Sequence, residues 1–240
     1  MLTPSSTARS PHIPLEQSAP TESTGVVTMP AELYRRLLRR AQELHAAGLK
    51  GFGLLVGDPS AQGHPFRPTD VVLFDPRRNR RNEPHNRAAF HAQGTYFRRY
   101  DDAGFVADPA DLLVAWRQIE DAGLEPVAPF HVHRRQPANF SLIDYRLHNP
   151  AFSWHLIISL RNPSQPVIQP FRVTKDPADF GIGEHDAREG SELSYRGPEV
   201  GPLELVLTES GRHLQALNRE LHRAPQGAGG PRGGDRKSVV

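Results

Sequence analysis

The sequence predicts an α/β fold, a mixed β-sheet flanked by helices. Two observations carry that expectation. Short apolar runs bounded by turn residues recur in the manner of buried strands, the clearest being Gly51–Gly57 (GFGLLVG) and Trp154–Leu160 (WHLIISL). Between such runs lie segments with apolar residues at helical spacing. The two kinds interleave without a steady βαβ rhythm, which favours a mixed sheet.

Taken in order, residues 1–27 are rich in Ser, Thr and Pro, lack apolar periodicity, and are expected to form a disordered leader. Thr28 is placed to cap a first helix, with Pro30 in its opening turn, Leu33, Leu37, Ala41 and Leu44 on one face, and Gly48 ending it. Strands are expected at 51–57 and 70–75. The stretch 76–107 is polar, Arg-rich and dotted with aromatics, and no pattern in it assigns an element. Its run Arg77, Arg78, Arg80 and Arg81 suits a solvated loop or an acidic partner surface. Asp108-Pro109-Ala110-Asp111 is a helix start, combining a cap, a proline at the first position and an acid near the positive end of the dipole. Leu112, Leu113, Trp116 and Ile119 are expected to form its apolar face, with Gly123 as the stop. Strands follow at 127–133, 154–160, 167–173 and 202–208, and Ser210 is placed to cap a last helix with Leu214, Leu217 and Leu221. The chain is thus expected to comprise a leader (1–27), one α/β domain (28–175), an extension with a strand and a helix (176–223) and a disordered tail (224–240).

Composition narrows the function classes. Cysteine is absent, which excludes disulfides, iron–sulfur clusters, thiolate metal sites and cysteine nucleophiles. Cations and anions nearly balance, 29 against 27, so no nucleic-acid partner is expected. No apolar run reaches the roughly 18 residues of a membrane helix, so a cytoplasmic protein without a membrane partner is the default expectation. Oligomeric state is not legible.

The chemistry concentrates in 131–144, HVHRRQPANFSLID. Two histidines at i and i+2 of a strand project from one face, so His131 and His133 can reach a common ion. Asp144, eleven residues after the second histidine, can return to complete three protein ligands. Three ligands leave a fourth tetrahedral position open, the arrangement of a catalytic zinc site. Nitrogen and oxygen donors without sulfur also admit iron, manganese or nickel. Ser141 lies one helical turn before Asp144, where its hydroxyl can face the same position and stabilise an oxyanion.

The spacing His-x-His-x7-Ser-x2-Asp resembles the signature of the JAB/JAMM (MPN) zinc metallopeptidases. In that family a first helix leads to a strand with the pattern Glu-x-Cys-Gly-Leu-Leu-x-Gly. Here the first helix leads to Lys50-Gly51-Phe52-Gly53-Leu54-Leu55-Val56-Gly57. The order of elements is similar to the compact bacterial branch, whose members trim ubiquitin-like sulfur-carrier proteins. The resemblance covers about residues 30–173. It implies a cytidine-deaminase-like mixed sheet, one zinc ion on His131, His133 and Asp144, and assistance from Ser141. It also implies hydrolysis of a peptide, isopeptide or related amide bond, at the C-terminus of a small ubiquitin-like carrier or on a small-molecule amide.

One departure bears on the mechanism. The family's general base is the glutamate that opens the strand pattern, and Lys50 stands in its place. An ammonium accepts no proton unless burial or a nearby cation depresses its pKa. Three alternatives follow. Another carboxylate, with Glu83 the first candidate, supplies the base, and His85 or His91 from the same segment is a further acid or ligand. Alternatively, Lys50 acts as an electrophilic stabiliser or binds a substrate carboxylate. In the third, the chain is a pseudoenzyme, a catalytically impaired metal-bound interaction scaffold. Arg134 and Arg135 follow the second histidine at the mouth of the expected site, where bidentate pairing suits them to a substrate carboxylate.

Overall fold

Parallel neighbours in a sheet require a crossover, whereas antiparallel ones can follow a short turn. The computed structural model describes residues 25–176 and 194–209, and its central sheet obeys this rule around one crossover. The strands are β1 (Val26–Pro30), β2 (Phe52–Gly57), β3 (Asp70–Leu73), β4 (Glu125–His133), β5 (Trp154–Ser159), β6 (Val167–Val173), β7 (Val200–Pro202) and β8 (Glu204–Thr208). The helices are α1 (Ala31–Ala46), α2 (Pro84–Ala92), α3 (Thr95–Arg99), α4 (Pro109–Asp121) and α5 (Leu142–Leu147). Six strands form a mixed sheet in the order β3-β2-β4-β5-β6-β7, and β1 pairs with β8 separately. Within the six-stranded sheet only β4 and β5 run parallel, and α5 lies on the crossover between them. The expected α/β architecture, a mixed sheet flanked by helices, is present.

Both sheet faces are covered, which is why β2 and β5 are apolar along almost their whole length. On one face Leu33, Leu37 and Ala41 of α1 pack with Leu55, Phe130, Val132, Leu156 and Ile158. On the other, Ala115 and Ile119 of α4 pack with Leu54, Val56, Val72 and Phe74. Trp154 belongs to the first core, fully buried, with its indole N–H donated to the Pro65 carbonyl at 3.3 Å.

Several expectations are corrected by long-range contacts. Thr28 caps no helix: it lies in β1, its N–H bonded to the Phe66 carbonyl at 3.0 Å, and α1 starts after Pro30. Val26 and Val27, read as the end of a leader, belong to β1, and Val27 is fully buried. The partner that makes this strand is β8, some 180 residues away in sequence, in parallel register Val26 to Glu204. Asp108 caps α4 as expected, accepting the Ala110 N–H at 2.8 Å, but the buried side of that helix is rotated. Asp111, Ala115 and Ile119 face inward, whereas Leu113 and Trp116 are about half exposed. On the covered side Asp111 pairs with Arg78, which also pairs with Asp108. The strand expected at 202–208 is divided between β7 and β8. The helix expected after Ser210 lies outside the described residues.

The unassigned stretch 76–107 folds around one arginine. Arg81 is fully buried and donates to the carbonyls of Phe97 and Ala103 and to Asn82, with its guanidinium over the Phe90 ring. Unpaired, that charge would be expensive to bury. The cost is offset by carbonyl acceptors from α3 and the loop after it, and by Asp101. Arg78 and Arg80 also pair with acids of this chain. The stretch thereby becomes an ordered wall against α5, with Phe90, Phe97 and Ala103 packed on Ile143. Among the described residues no helix is long and apolar enough to cross a membrane.

Candidate metal centre

The last turn of sequence in β4 alternates Phe130, His131, Val132, His133, and strand geometry sends alternate side chains to opposite faces. Phe130 and Val132 enter the α1-side core, leaving His131 and His133 together on the other face. The glycines before them matter to this placement. A Cβ on Gly51 would meet Val132 at 2.8 Å, and one on Gly53 would lie 2.1 Å from the Val72 carbonyl oxygen. Glycine at both positions lets β2 lie against its neighbours, with Phe52 in register with His131 and Lys50 just beyond.

Asp144 is delivered by the first turn of α5. Ser141 caps that helix in a reciprocal capping box: the Asp144 N–H is donated to Ser141 Oγ at 3.2 Å, and the Ser141 N–H to Asp144 Oδ2 at 2.9 Å. The Ser141 hydroxyl donates to the same carboxylate oxygen at 2.5 Å. This contact gives Ser141 a place beside the ligand set. Through its N–H and its hydroxyl, Ser141 orients the Asp144 carboxylate. At the other end of α5, Lys175 donates to the carbonyls of Tyr145, Arg146 and His148, satisfying three acceptors that a helix end leaves open.

The result is three donor atoms converging in a buried place. His131 Nε2 lies 2.9 Å from His133 Nε2 and 3.2 Å from Asp144 Oδ1, and His133 Nε2 lies 3.6 Å from Asp144 Oδ2. Ligands about 2.0–2.1 Å from a tetrahedral ion stand about 3.3 Å apart, a value these separations bracket. Both histidines are about 95% buried. Burial pushes the Asp144 carboxyl up, but His131 and His133 beside it prevail and hold it well below the usual carboxylate range. Burial lowers His131 to about 4 against the pull of Asp144. An ionised carboxylate beside an uncharged imidazole is the protonation state that binds a cation. His131, His133 and Asp144 can therefore hold a metal ion.

The other sequence candidates are distributed unevenly around this centre. Lys50 lines the cavity beside His131, Asp144 and Asp102. Burial lowers its pKa, with Asp144 and Asp102 opposing. Glu83 does not line the cavity: it is exposed and bound twice by Arg80, at 2.7 Å each. His85 and His91 lie on α2, also outside the cavity lining. Arg134 and Arg135 line it, yet both already pair with Asp102, and Arg135 stacks 4.5 Å from the Tyr100 ring centroid. Burial pushes Asp102 up, and the two arginines more than compensate, holding it low. Phe52, Tyr96, Phe97 and Phe105 also line the cavity, with Phe52 beside His131 on the neighbouring strand.

Sequence reasoning missed Asp102, His148 and His155. Asp102 sits in the patternless stretch and carried no signal. His155 did carry one: it is a titratable side chain in a buried strand whose other residues, Ser159 apart, are apolar. His131 Nδ1 lies 2.7 Å from His155 Nε2, and His155 Nδ1 lies 3.2 Å from His148 Nδ1.

No protein-family model and no curated protein matches the chain. Solved structures that it is similar to include two solution structures. One is the solution structure of a protein from Desulfitobacterium hafniense, at 22% identity and a TM-score of 0.49, covering 79% of this chain and 97% of that one. The other is the solution structure of a protein from Salinibacter ruber, at 20% identity and a TM-score of 0.43, covering 76% and 91%.

Proposed function

We propose that the chain is a JAMM/MPN-like zinc-dependent hydrolase of peptide, isopeptide or related amide bonds. The observation that carries this reading is the convergence of His131, His133 and Asp144, largely buried, in a cavity lined by several aromatic rings. The donor set fits zinc, which takes imidazole nitrogen and carboxylate oxygen and leaves a position free when the protein supplies three ligands. Zinc so held polarises a substrate carbonyl and lowers the pKa of a water towards neutrality.

The chain's own residues do the rest. Ser141 holds the Asp144 carboxylate in place through two hydrogen bonds to Oδ2. Phe52, Tyr96, Phe97 and Phe105 give the cavity an aromatic lining. Lys50 stands where the resembled family has its base, and burial favours its neutral amine. In this reading Lys50 is the proton carrier between the attacking water and the leaving amine. Asp102 does not take that role while both Arg134 and Arg135 hold it. The substrate is the C-terminal segment of a small ubiquitin-like carrier protein or a small amide narrow enough to enter.

A second reading has its own support. Every carboxylate lining the cavity is engaged, Asp144 with the histidines and Asp102 with two arginines. Such a site suits a catalytically impaired metal-bound scaffold.

The test is metal content by elemental mass spectrometry, followed by hydrolysis of carrier-protein and small-amide substrates. About one zinc per chain, absent from a His131→Ala/His133→Ala variant, is expected. Lys50→Met is expected to reduce turnover by roughly 10²–10⁴-fold with zinc retained, and Lys50→Glu to restore part of it. Zinc retention with no hydrolysis in any variant selects the scaffold, and failure to take up metal sinks both readings.

A further inference from the structure

The polarity of a hydrogen-bonded imidazole chain is set by whatever fixed acceptor ends it. Here the end is the Phe152 carbonyl, which only accepts, 2.8 Å from His148 Nε2. His148 Nε2 must therefore carry the proton. A neutral imidazole has one N–H, so His148 Nδ1 is an acceptor, and the partner 3.2 Å away, His155 Nδ1, is the donor. His155 Nε2 is then an acceptor and receives the Nδ1–H of His131 across 2.7 Å. His131 is left with a bare lone pair on Nε2. His133 reaches the same state independently, because its Nδ1 lies 2.8 Å from the Pro137 carbonyl and must donate to it. Two lone pairs then face each other at 2.9 Å beside the Asp144 carboxylate. A positive charge between them, a metal ion or a proton, makes that arrangement favourable.

The rings are held where this logic requires. His131 is in register with Ile157, so His155, two residues earlier, projects from the same sheet face. Both His148 and His155 are at least 95% buried, with the Phe140 ring edge-on to each. Among the described residues no carboxylate hydrogen-bonds to either, so a charged imidazolium there would be costly. His148 itself is tied at its carbonyl to Lys175.

We propose that His155, oriented in turn by His148, is the positioning residue of the metal centre: it accepts the Nδ1–H of His131 and so holds the tautomer whose Nε2 faces His133 and Asp144. The inference rests on the metal-centre reading above. It assigns a role to two residues outside the three ligands, by the general rule that a ligating histidine is oriented through its other nitrogen.

The experiment is zinc affinity, measured by chelator competition, for the native chain, His155→Leu and His155→Gln. Leucine fills the buried space but accepts no hydrogen bond, and glutamine returns an acceptor oxygen near the Nε2 position. His155→Leu is expected to bind zinc roughly 10–100-fold more weakly, and His155→Gln to recover most of that loss. A packing role alone gives the opposite order, since leucine suits an apolar strand better than glutamine. Leucine binding like the native chain, or better than glutamine, overturns the proposal while leaving the metal centre standing. Absence of zinc binding in the native chain overturns both. Nitrogen-15 NMR of histidine-labelled native protein reads the tautomer without relying on a variant that folds. His155 protonated at Nδ1 supports the proposal, and protonation at Nε2 overturns it.

Discussion

At the scale of single residues, Ser141 and Asp144 serve two ends with one set of hydrogen bonds. The capping box that starts α5 is also what aims the carboxylate at the histidines. Ser141→Ala removes the cap and frees Asp144 to rotate. Stability is expected to fall by about 1 kcal/mol in urea titrations, with weaker zinc binding in the same variant. A loss of stability with unchanged affinity limits Ser141 to capping. His148 offers a test by pH. Burial lowers it to about 4, so the unfolded chain binds its proton first as pH falls. Its contribution is complete above the unfolded value near 6.5 and is lost as pH drops towards 4. Metal-free protein is therefore expected to lose about 3 kcal/mol between pH 7 and pH 4 from this residue alone. A His148→Phe variant with the same decline over that window removes His148 as its source.

At the scale of elements, α4 shows how packing and an ion pair together mark a helix's buried side. Periodicity pointed to one face through Leu112, Leu113, Trp116 and Ile119; Ile119 is buried beside Ala115 with Leu112 packed on the same core, while Leu113 and Trp116 are about half exposed. Asp111 lies on the buried side, where Arg78 pairs with it. Ile119→Ala is expected to cost about 2–4 kcal/mol, whereas Trp116→Ser is expected to stay within about 0.5 kcal/mol. Urea unfolding of both variants checks this, and a larger cost at Trp116 restores the face expected from periodicity. The short helix α5 makes the related point that its ends are held by side chains: Ser141 at one, Lys175 at the other. Six residues have little helical stability of their own, so these end contacts decide where Asp144 sits.

At the scale of the molecule, the centre lies where the one parallel pair of the sheet needs a crossover. His131 and His133 come from β4, Asp144 from the crossover helix, and His155 from β5. Cation binding therefore joins elements that also meet in the folding of the whole sheet. A ligand that binds only the folded state stabilises it by mass action, about 2.7 kcal/mol at a hundredfold excess over Kd. Thermal unfolding is expected to move up with added zinc and down with a chelator. The His131→Ala/His133→Ala variant is expected to respond to neither. An equal response in that variant places the zinc elsewhere.

Residue order alone determined what depends on short-range geometry. Alternation in a strand put His131 and His133 on one face, Asp108 and Pro109 started α4, and apolar runs marked β2, β5 and β6. These features survive because each is decided within a few residues of backbone. The tertiary structure alone decided what depends on partners distant in sequence. Thr28 became a strand residue because β8 offered an edge to pair with. Glu83 was left outside the cavity by Arg80, and Arg134 and Arg135 were turned towards Asp102, so neither arginine stands as a free carboxylate receptor. The patternless stretch became an ordered wall because several carbonyls could converge on Arg81. His155 and His148 acquired their places through sheet register and a single carbonyl. Hydrogen-bond partners of buried polar groups are set by three-dimensional packing, and sequence spacing carries almost none of that information.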